Sequence, residues 1–408
     1  MMQRMEERAM GQAASKQEAV AMDLGDVERR VGQEVGGGEL IESCSATDIR
    51  RWVMAMDYPN PVHWNDRLAR ASRFGGIVAP QSFAVAIDYG HGVQPACVGY
   101  IPGSHLIFGG EEWWHYGARL RPGDRLTQQR RFHDYKLTDT KFAGPTLFSR
   151  GDTMHYNQHG VPVCKERSTS IRYLAAEAEK RGMLNASTAP MPRWTREQRE
   201  AIDRERHAWI LSNRDGVSPR YEEVSVGDRL PRRVIGPHTL VSFATEYRAF
   251  VFNVWGSFNW VAPAGVADPW INQDPGWVEG FGFDEKGAEI DPRLRDGLYL
   301  GPSRGHVDAD KAEAIGMPRA YGYGATMGAW VTDYVAYWAG HEGYVRYSNT
   351  SFRGPALEGD VTYMNAEVME KHDETTWGVP LVRLSVTMAN QEGVKLATGV
   401  VDVELPLK

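Results

Sequence analysis

Apolar residues recur at i, i+3, i+4 and i+7 in two places: Ile49, Trp52, Val53 and Met56, then Leu240, Phe243, Ala244 and Tyr247. That spacing lines one face of a 3.6-residue helix and predicts an amphipathic helix at each place. Before the first, Ser45-Ala46-Thr47-Asp48 offers an N-cap. Toward the C-terminus the period changes to two. Val382, Leu384, Val386 and Met388 alternate with Arg383, Ser385 and Thr387, and Val401, Val403 and Leu405 alternate with Asp402 and Glu404. Such alternation predicts antiparallel strands with one wet face. The Asn390-Gln391-Glu392-Gly393 stretch between them supplies the chemistry of a hairpin turn.

The pattern occurs twice. After each predicted helix comes a His followed six and eight residues later by Ala, at His63, Ala69, Ala71 and at His306, Ala312, Ala314. Gly123-Asp124 and Gly359-Asp360 each open a strand-like run, and Asn-Gln-x-Gly-Val stands at 157–161 and at 390–394. These landmarks are offset by 243, 236 and 233 residues, a drift that small loop deletions would produce. The chain therefore reads as two diverged copies of one unit, at 35–180 and 215–408. A tail at 1–34 precedes them, and a connecting segment at 181–214 carries a charged helix from Arg193 to Asn213 behind the breakers Pro190 and Pro192. From helix start to His is 14 residues in the first copy and 66 in the second. The second copy thus carries an insertion of 52 residues at roughly 250–300, rich in Gly, Pro and aromatics, which reads as an ordered cover or lid. One long helix followed by about four consecutive strands gives an α+β unit whose sheet packs on the helix.

Composition narrows the class. At 408 residues, 42% hydrophobic and 24% charged, the chain can bury two or three cores. A formal charge of −7 provides no global basic field for nucleic acid or an acidic membrane. Three cysteines, Cys44, Cys97 and Cys164, without C-x-x-C spacing, argue against a disulfide framework and a structural zinc site. No run approaches 18 apolar residues, so no membrane span is expected. The first residues lack the apolar core of a secretory signal and read as a frayed helix or disordered tail of a cytoplasmic protein.

The densest polar cluster is Asp57-Tyr58-Pro59-Asn60-Pro61-Val62-His63-Trp64-Asn65-Asp66. Two prolines end the helix and hold the chain extended. Asp57 and His63, six residues apart across that break, can converge, with His as base and Asp as orienter or acid. The plainer alternative is a helix terminus at which Asp57 and Asn60 cap and turn.

The stretch from Arg51-Trp52-Val53 through Asn60-Pro61-Val62-His63 and Ala69 to Phe74-Gly75-Gly76-Ile77-Val78-Ala79-Pro80 resembles MaoC-like (R)-specific enoyl-CoA hydratases and dehydratases. It is most similar to their two-copy branch, whose N-terminal half is a fatty-acid-synthase-type dehydratase domain. In the second copy His306, Asp308, Ala312, Gly316, Pro318 and Gly324 match the H-x-D-x3-A-x3-G-x-P-x5-G stretch of that branch's catalytic half. The resemblance covers nearly the whole chain except the tail, the connecting helix and the insertion. It implies a double hot-dog fold in which each sheet wraps a long helix and the copies share one sheet. It also implies addition or removal of water across the α–β bond of an acyl-CoA thioester in fatty or aromatic acid metabolism. A His/Asp pair would hold the water and backbone N–H groups at a helix N-terminus the enolate oxygen, with no metal or redox cofactor. Tyr58, Asn60, Gly76, Gln81, Tyr323 and Gly324 become candidates for substrate binding. The expected assembly is a homodimer, or a hetero-oligomer with another hot-dog subunit.

The family's D-x-N-P-x-H motif places its Asp five residues before the His. That position is Tyr58 in the first copy, with Asp57 one earlier, and Gly301 in the second, where Ser303-Arg304 replaces Asn-Pro. Two readings of different class follow. One is a hydratase or dehydratase working through His63 with Asp57, favoured for its nearby carboxylate and Asn-Pro turn, or through His306 with Asp308. The other is a non-catalytic acyl-CoA-binding subunit that needs a partner hydratase. A hot-dog thioesterase is a third, with Asp48 as the one acidic candidate on the first helix. Arg70, Arg73, Arg319 and Arg353 are candidates for CoA phosphates by neighbourhood. Gly322-x-Gly324-x3-Gly328 mimics a dinucleotide loop, but with no apolar strand before it close helix packing is expected. His155 and His159, at a strand end and in its turn, are not expected to bind zinc.

Overall fold

The computed structural model describes residues 22–34, 43–87, 94–99, 101–183, 190–250, 304–314 and 316–408. All but the first residue of the expected 250–300 insertion lies outside them. Among the described residues, nine strands form one sheet in the order β2-β3-β4-β1-β6-β9-β8-β7-β5. They are β1 Ser104–His115, β2 Leu126–Thr140, β3 Gly144–Asn157, β4 Pro162–Leu174, β5 Arg233–Ile235, β6 Tyr344–Phe352, β7 Thr362–His372, β8 Leu381–Asn390 and β9 Lys395–Glu404. The order β1-β4-β3-β2 of the first unit is repeated outward as β6-β9-β8-β7 in the second, and β1 pairs antiparallel with β6 at the seam. The duplication is therefore physical. The chain is an α+β double hot-dog.

The repeated motifs prove to be one lock used twice. Asn157 and Asn390 close the β3–β4 and β8–β9 hairpins, their Oδ1 atoms accepting from the backbone N–H groups of His159 and Val161, and of Glu392 and Val394. Gln158 Nε2 then donates to Asp124 Oδ1 at 3.0 Å, and Gln391 Nε2 to Asp360 Oδ1 at 3.1 Å. The same glutamines accept from the N–H after each Gly-Asp pair, Arg125 and Val361. Asn, Gln, Gly and Asp recur together because each satisfies another's hydrogen bond.

The helix that each sheet wraps is not the one expected. The amphipathic helices exist, as α1 Ala46–Ala55 and, in the second unit, Leu240–Arg248, but they flank the core. The wrapped helix of the second unit is Gly324–Ala339, with 13 of its 16 residues buried. Its counterpart in the first unit begins at α2, Phe83–Ile87, buried throughout. A helix enclosed on all sides is apolar on all sides and shows no stripe, so periodicity misses it. Numbering on along the chain, the connecting helix Arg196–Ser212 is α3, Leu240–Arg248 is α4 and Gly324–Ala339 is α5. The Gly-x-Gly-x3-Gly stretch opens α5 and packs it closely. A Cβ on Gly328 would lie 1.6 Å from Glu111 Oε1, and one on Gly324 2.3 Å from Phe108.

The end of the N-terminal tail is also ordered. Gly25–Arg30 is a helix whose Val27 is buried with Val98, Ile101 and Phe132, and Glu34 bridges to Arg131. Apolar contact to β2 holds it down, which a short polar-looking segment does not announce. Among the described residues no helix is long and apolar enough to cross a membrane.

Candidate active site

Each copy's histidine closes a short 3-10 turn, Pro61–His63 and Arg304–His306. Each ring meets a carbonyl fifteen residues further on, His63 Nδ1 at 2.7 Å from Val78 O and His306 Nδ1 at 2.9 Å from Tyr321 O. A carbonyl only accepts, so Nδ1 carries the hydrogen and Nε2 keeps its lone pair. This fixed tautomer is what a general base requires.

The two surroundings then diverge. In the first copy the expected Asp57/His63 pair does not form. Asp57 is the residue after the Met56 C-cap of α1 and takes the left-handed conformation, φ 49°, that ends the helix. Its side chain turns outward to lie 3.6 Å from Arg206. The inner side of this helix end belongs to Arg233, which donates to Met56 O and Asp57 O at 2.6 and 3.3 Å. What faces His63 is Tyr58, the residue at the family's Asp position, stacked at 5.3 Å. Burial pushes His63 down to about 3, so its ring is neutral. Asn60 accepts from Val62 N–H and lies 3.3 Å from His341 Nε2.

In the second copy the half-buried His306 ring lies between Tyr321 and Tyr323, at 4.3 and 4.0 Å. Asp308 caps the Ala309–Ala314 helix, Oδ1 accepting from Asp310 N–H at 3.1 Å, and Gly301 lies outside the described residues. Tyr323 is the N-cap of α5, whose first intrahelical bond is Met327 N–H to Tyr323 O at 3.1 Å. The amides of Gly324, Ala325 and Thr326 precede that bond and form the positive end of a sixteen-residue helix beside His306. Facing the same turn is Glu246, fully buried, its Oε2 accepting from Thr326 Oγ1 at 2.8 Å. Thr326 Oγ1 also lies 2.9 Å from Tyr323 O, so the carboxyl and the tyrosine next to His306 share one hydroxyl. Burial raises the Glu246 carboxyl to about 8, partly offset by the Thr326 hydrogen bond, so at neutral pH it holds its proton.

Glu246 was missed for an identifiable reason. The caps Ser45 and Thr239 align α1 with α4 three residues away from the register that their apolar stripes suggest. In the capped register Glu246 is equivalent to Trp52, whose indole donates to Ser82 Oγ at 3.0 Å just before α2. The expected stripe was rotated accordingly, with Leu240 and Ala244 exposed and Phe243 and Glu246 buried. A carboxylate at i+3 from Phe243, on the apolar face, was the available signal.

Other candidates have different roles. Gln81 forms two hydrogen bonds with the Val345 backbone, at 2.7 and 2.9 Å, and ties the two units together. Gly76 lies in an open turn. Arg70 pairs with Asp66 and Arg319 with Asp360, while Arg353 is exposed. Asp48 belongs to the capping box of α1 and is not on a wrapped helix. The acidic residue there is Asp333 on α5, fully buried and raised to about 7 by burial against the pull of Arg233. The three cysteines are buried and form no disulfide among the described residues, and burial raises the Cys44 and Cys97 thiols to about 11. His155 is buried on β3 and stacks on Trp113 at 6.2 Å.

A family model described as the FAS1-like dehydratase domain region matches residues 29–166. A solved MaoC-like dehydratase aligns with 94% of this chain and 100% of its own, at TM-score 0.58 and 15% identity. The match to the dehydratase-region model covers about a third of the chain, and the likeness to the solved structure shows a shared double hot-dog fold. A MaoC domain protein dehydratase from Chloroflexus aurantiacus J-10-fl aligns with 97% of this chain and 100% of its own, at TM-score 0.54 and 10% identity. Comparison with curated protein sequences finds no match. Within this fold both copies keep the histidine and its carbonyl, and in the second a buried carboxyl bonds a side chain in the first turn of the wrapped helix.

Proposed function

We propose that this MaoC-like protein adds or removes water across the α–β bond of an acyl-CoA thioester, and that the second copy carries the chemistry. The observation that supports this reading is the meeting of three groups at the start of α5. The Tyr321 carbonyl holds the hydrogen of His306 on Nδ1, the first-turn amides carry positive potential, and Glu246 holds a proton. In the dehydration direction, His306 Nε2 takes the proton alpha to the thioester carbonyl. The amides of Gly324, Ala325 and Thr326 receive the negative charge that moves onto the carbonyl oxygen. Glu246 gives its proton to the departing β-hydroxyl, which leaves as water, and the electron pair forms the double bond. Hydration runs the same steps backward. Tyr321 and Tyr323 keep the imidazole in place. The first copy, with Tyr58 where a carboxylate would stand, is assigned a supporting role.

The test is direct. Purified protein is mixed with a panel of enoyl-CoA and 3-hydroxyacyl-CoA esters, and loss or gain of the conjugated thioester absorbance is followed. Turnover of at least one ester, reduced about a hundredfold or more in Glu246→Gln, supports the assignment. Full activity in Glu246→Gln removes the carboxyl from the mechanism.

A further inference from the structure

The first copy has kept its histidine, and what gathers around it is positive charge. Arg119 lies over the Tyr344 ring at 4.7 Å and the Phe74 ring at 5.6 Å, and donates to Gly343 O at 3.1 Å. Arg73 lies over the same Phe74 ring at 5.8 Å and donates to His341 O at 3.3 Å. His341 packs against Phe74 at 5.9 Å, with Nε2 at 3.3 Å from Asn60 Oδ1. Nearby arginines are neutralised, Arg70 by Asp66 and Arg346 by Glu404. Among the described residues no carboxylate forms an ion pair with Arg73 or Arg119. After burial, the charge of Arg119 adds to what holds His63 neutral, and burial followed by Arg119 and Arg73 pushes His341 down as well, while Arg73 presses in turn on Arg119. Like charges sharing a partly buried place without a counter-ion are unfavourable, and a bound anion would relieve them.

We infer that the cluster of Arg73, Arg119 and His341 beside Asn60 and His63 binds an oxyanion, the carboxylate or phosphate group of a small molecule. Guanidinium groups present the paired donors that such a group accepts. The site spans the seam, since His341 and the Gly343 carbonyl come from the second copy. His341 is fixed there by the start of the second copy. Its N–H donates to Gly216 O at 2.9 Å, and a Cβ on Gly216 would lie 2.1 Å from its Nε2.

The experiment uses the full chain as wild type, His306→Ala, Arg119→Gln and Arg119→Lys. Inorganic phosphate, succinate, CoA and pantetheine are titrated calorimetrically against chloride of matched ionic strength. Wild type and His306→Ala are expected to bind at least one of the anions equally well. Binding should weaken about tenfold or more in Arg119→Gln and be largely restored in Arg119→Lys. Binding of phosphate and CoA without pantetheine identifies a phosphate ligand; binding of succinate alone identifies a carboxylate. No anion binding beyond chloride in wild type, or equal binding in Arg119→Gln, overturns the inference. If Arg119→Gln does not fold, Arg73→Gln carries the same comparison. Because the readout is binding, and His306→Ala is among the proteins titrated, this site and the chemistry of the second copy can fail independently.

Discussion

Replacing Glu246 by Gln should make the protein more stable at high pH while abolishing turnover. The carboxyl, ordinarily titrating at 4.5, is raised to about 8 by burial. Between those two pH values the native state holds a proton that the unfolded chain has released. Stability of the wild type therefore falls as pH rises through this window and levels off above about 8. Each tenfold change in proton affinity is worth about 1.4 kcal/mol, so the loss approaches about 5 kcal/mol as an upper limit. Gln is nearly isosteric, and its carbonyl can accept the Thr326 hydroxyl, but it has no charge to desolvate. Urea unfolding of both proteins at pH 5 and pH 9 gives the comparison. The variant should be close to wild type at pH 5 and clearly more stable at pH 9. An equal difference at both pH values would refute the reasoning, because it would mean that Glu246 does not carry the buried proton.

Two further outcomes test the framework that holds the site. Gly328→Ala places a methyl group 1.6 Å from Glu111 Oε1 and should destabilise by about 1–3 kcal/mol, despite the better helix propensity of Ala. Thermal unfolding of a double-mutant cycle with Glu111→Ala should recover most of that loss. Gln158→Ala and Gln391→Ala each remove the same two hydrogen bonds from equivalent hairpins and should each cost about 1–3 kcal/mol. Chemical denaturation that finds one lock silent would count against their equivalence.

Much of the fold was legible because the repeat is written in residues that bond to one another. Asn157, Gln158, Gly160 and Asp124 recur as Asn390, Gln391, Gly393 and Asp360 since the hairpin lock needs all four. The alternating strands β8 and β9 were visible for the usual reason, one face buried and one wet. The wrapped helix was not visible, since α5 is buried on every side and carries no stripe. The site was harder still. Adjacency in sequence put Asp57 with His63, but a left-handed residue at the helix end sends that carboxylate to Arg206. Proximity in space instead brings Glu246 to Thr326, eighty residues away, and Arg119 to Tyr344 and Gly343, more than two hundred away. Such pairs have no local spacing to read.

The most direct measurement is the turnover of a responsive enoyl-CoA ester by wild type, His63→Ala and His306→Ala, each first shown to be folded by circular dichroism. Chemistry in the second copy requires that His306→Ala lose about two to four orders of magnitude in kcat while His63→Ala keeps most of its activity. Loss of turnover in His63→Ala with His306→Ala still active would contradict the assignment and return the chemistry to the first copy.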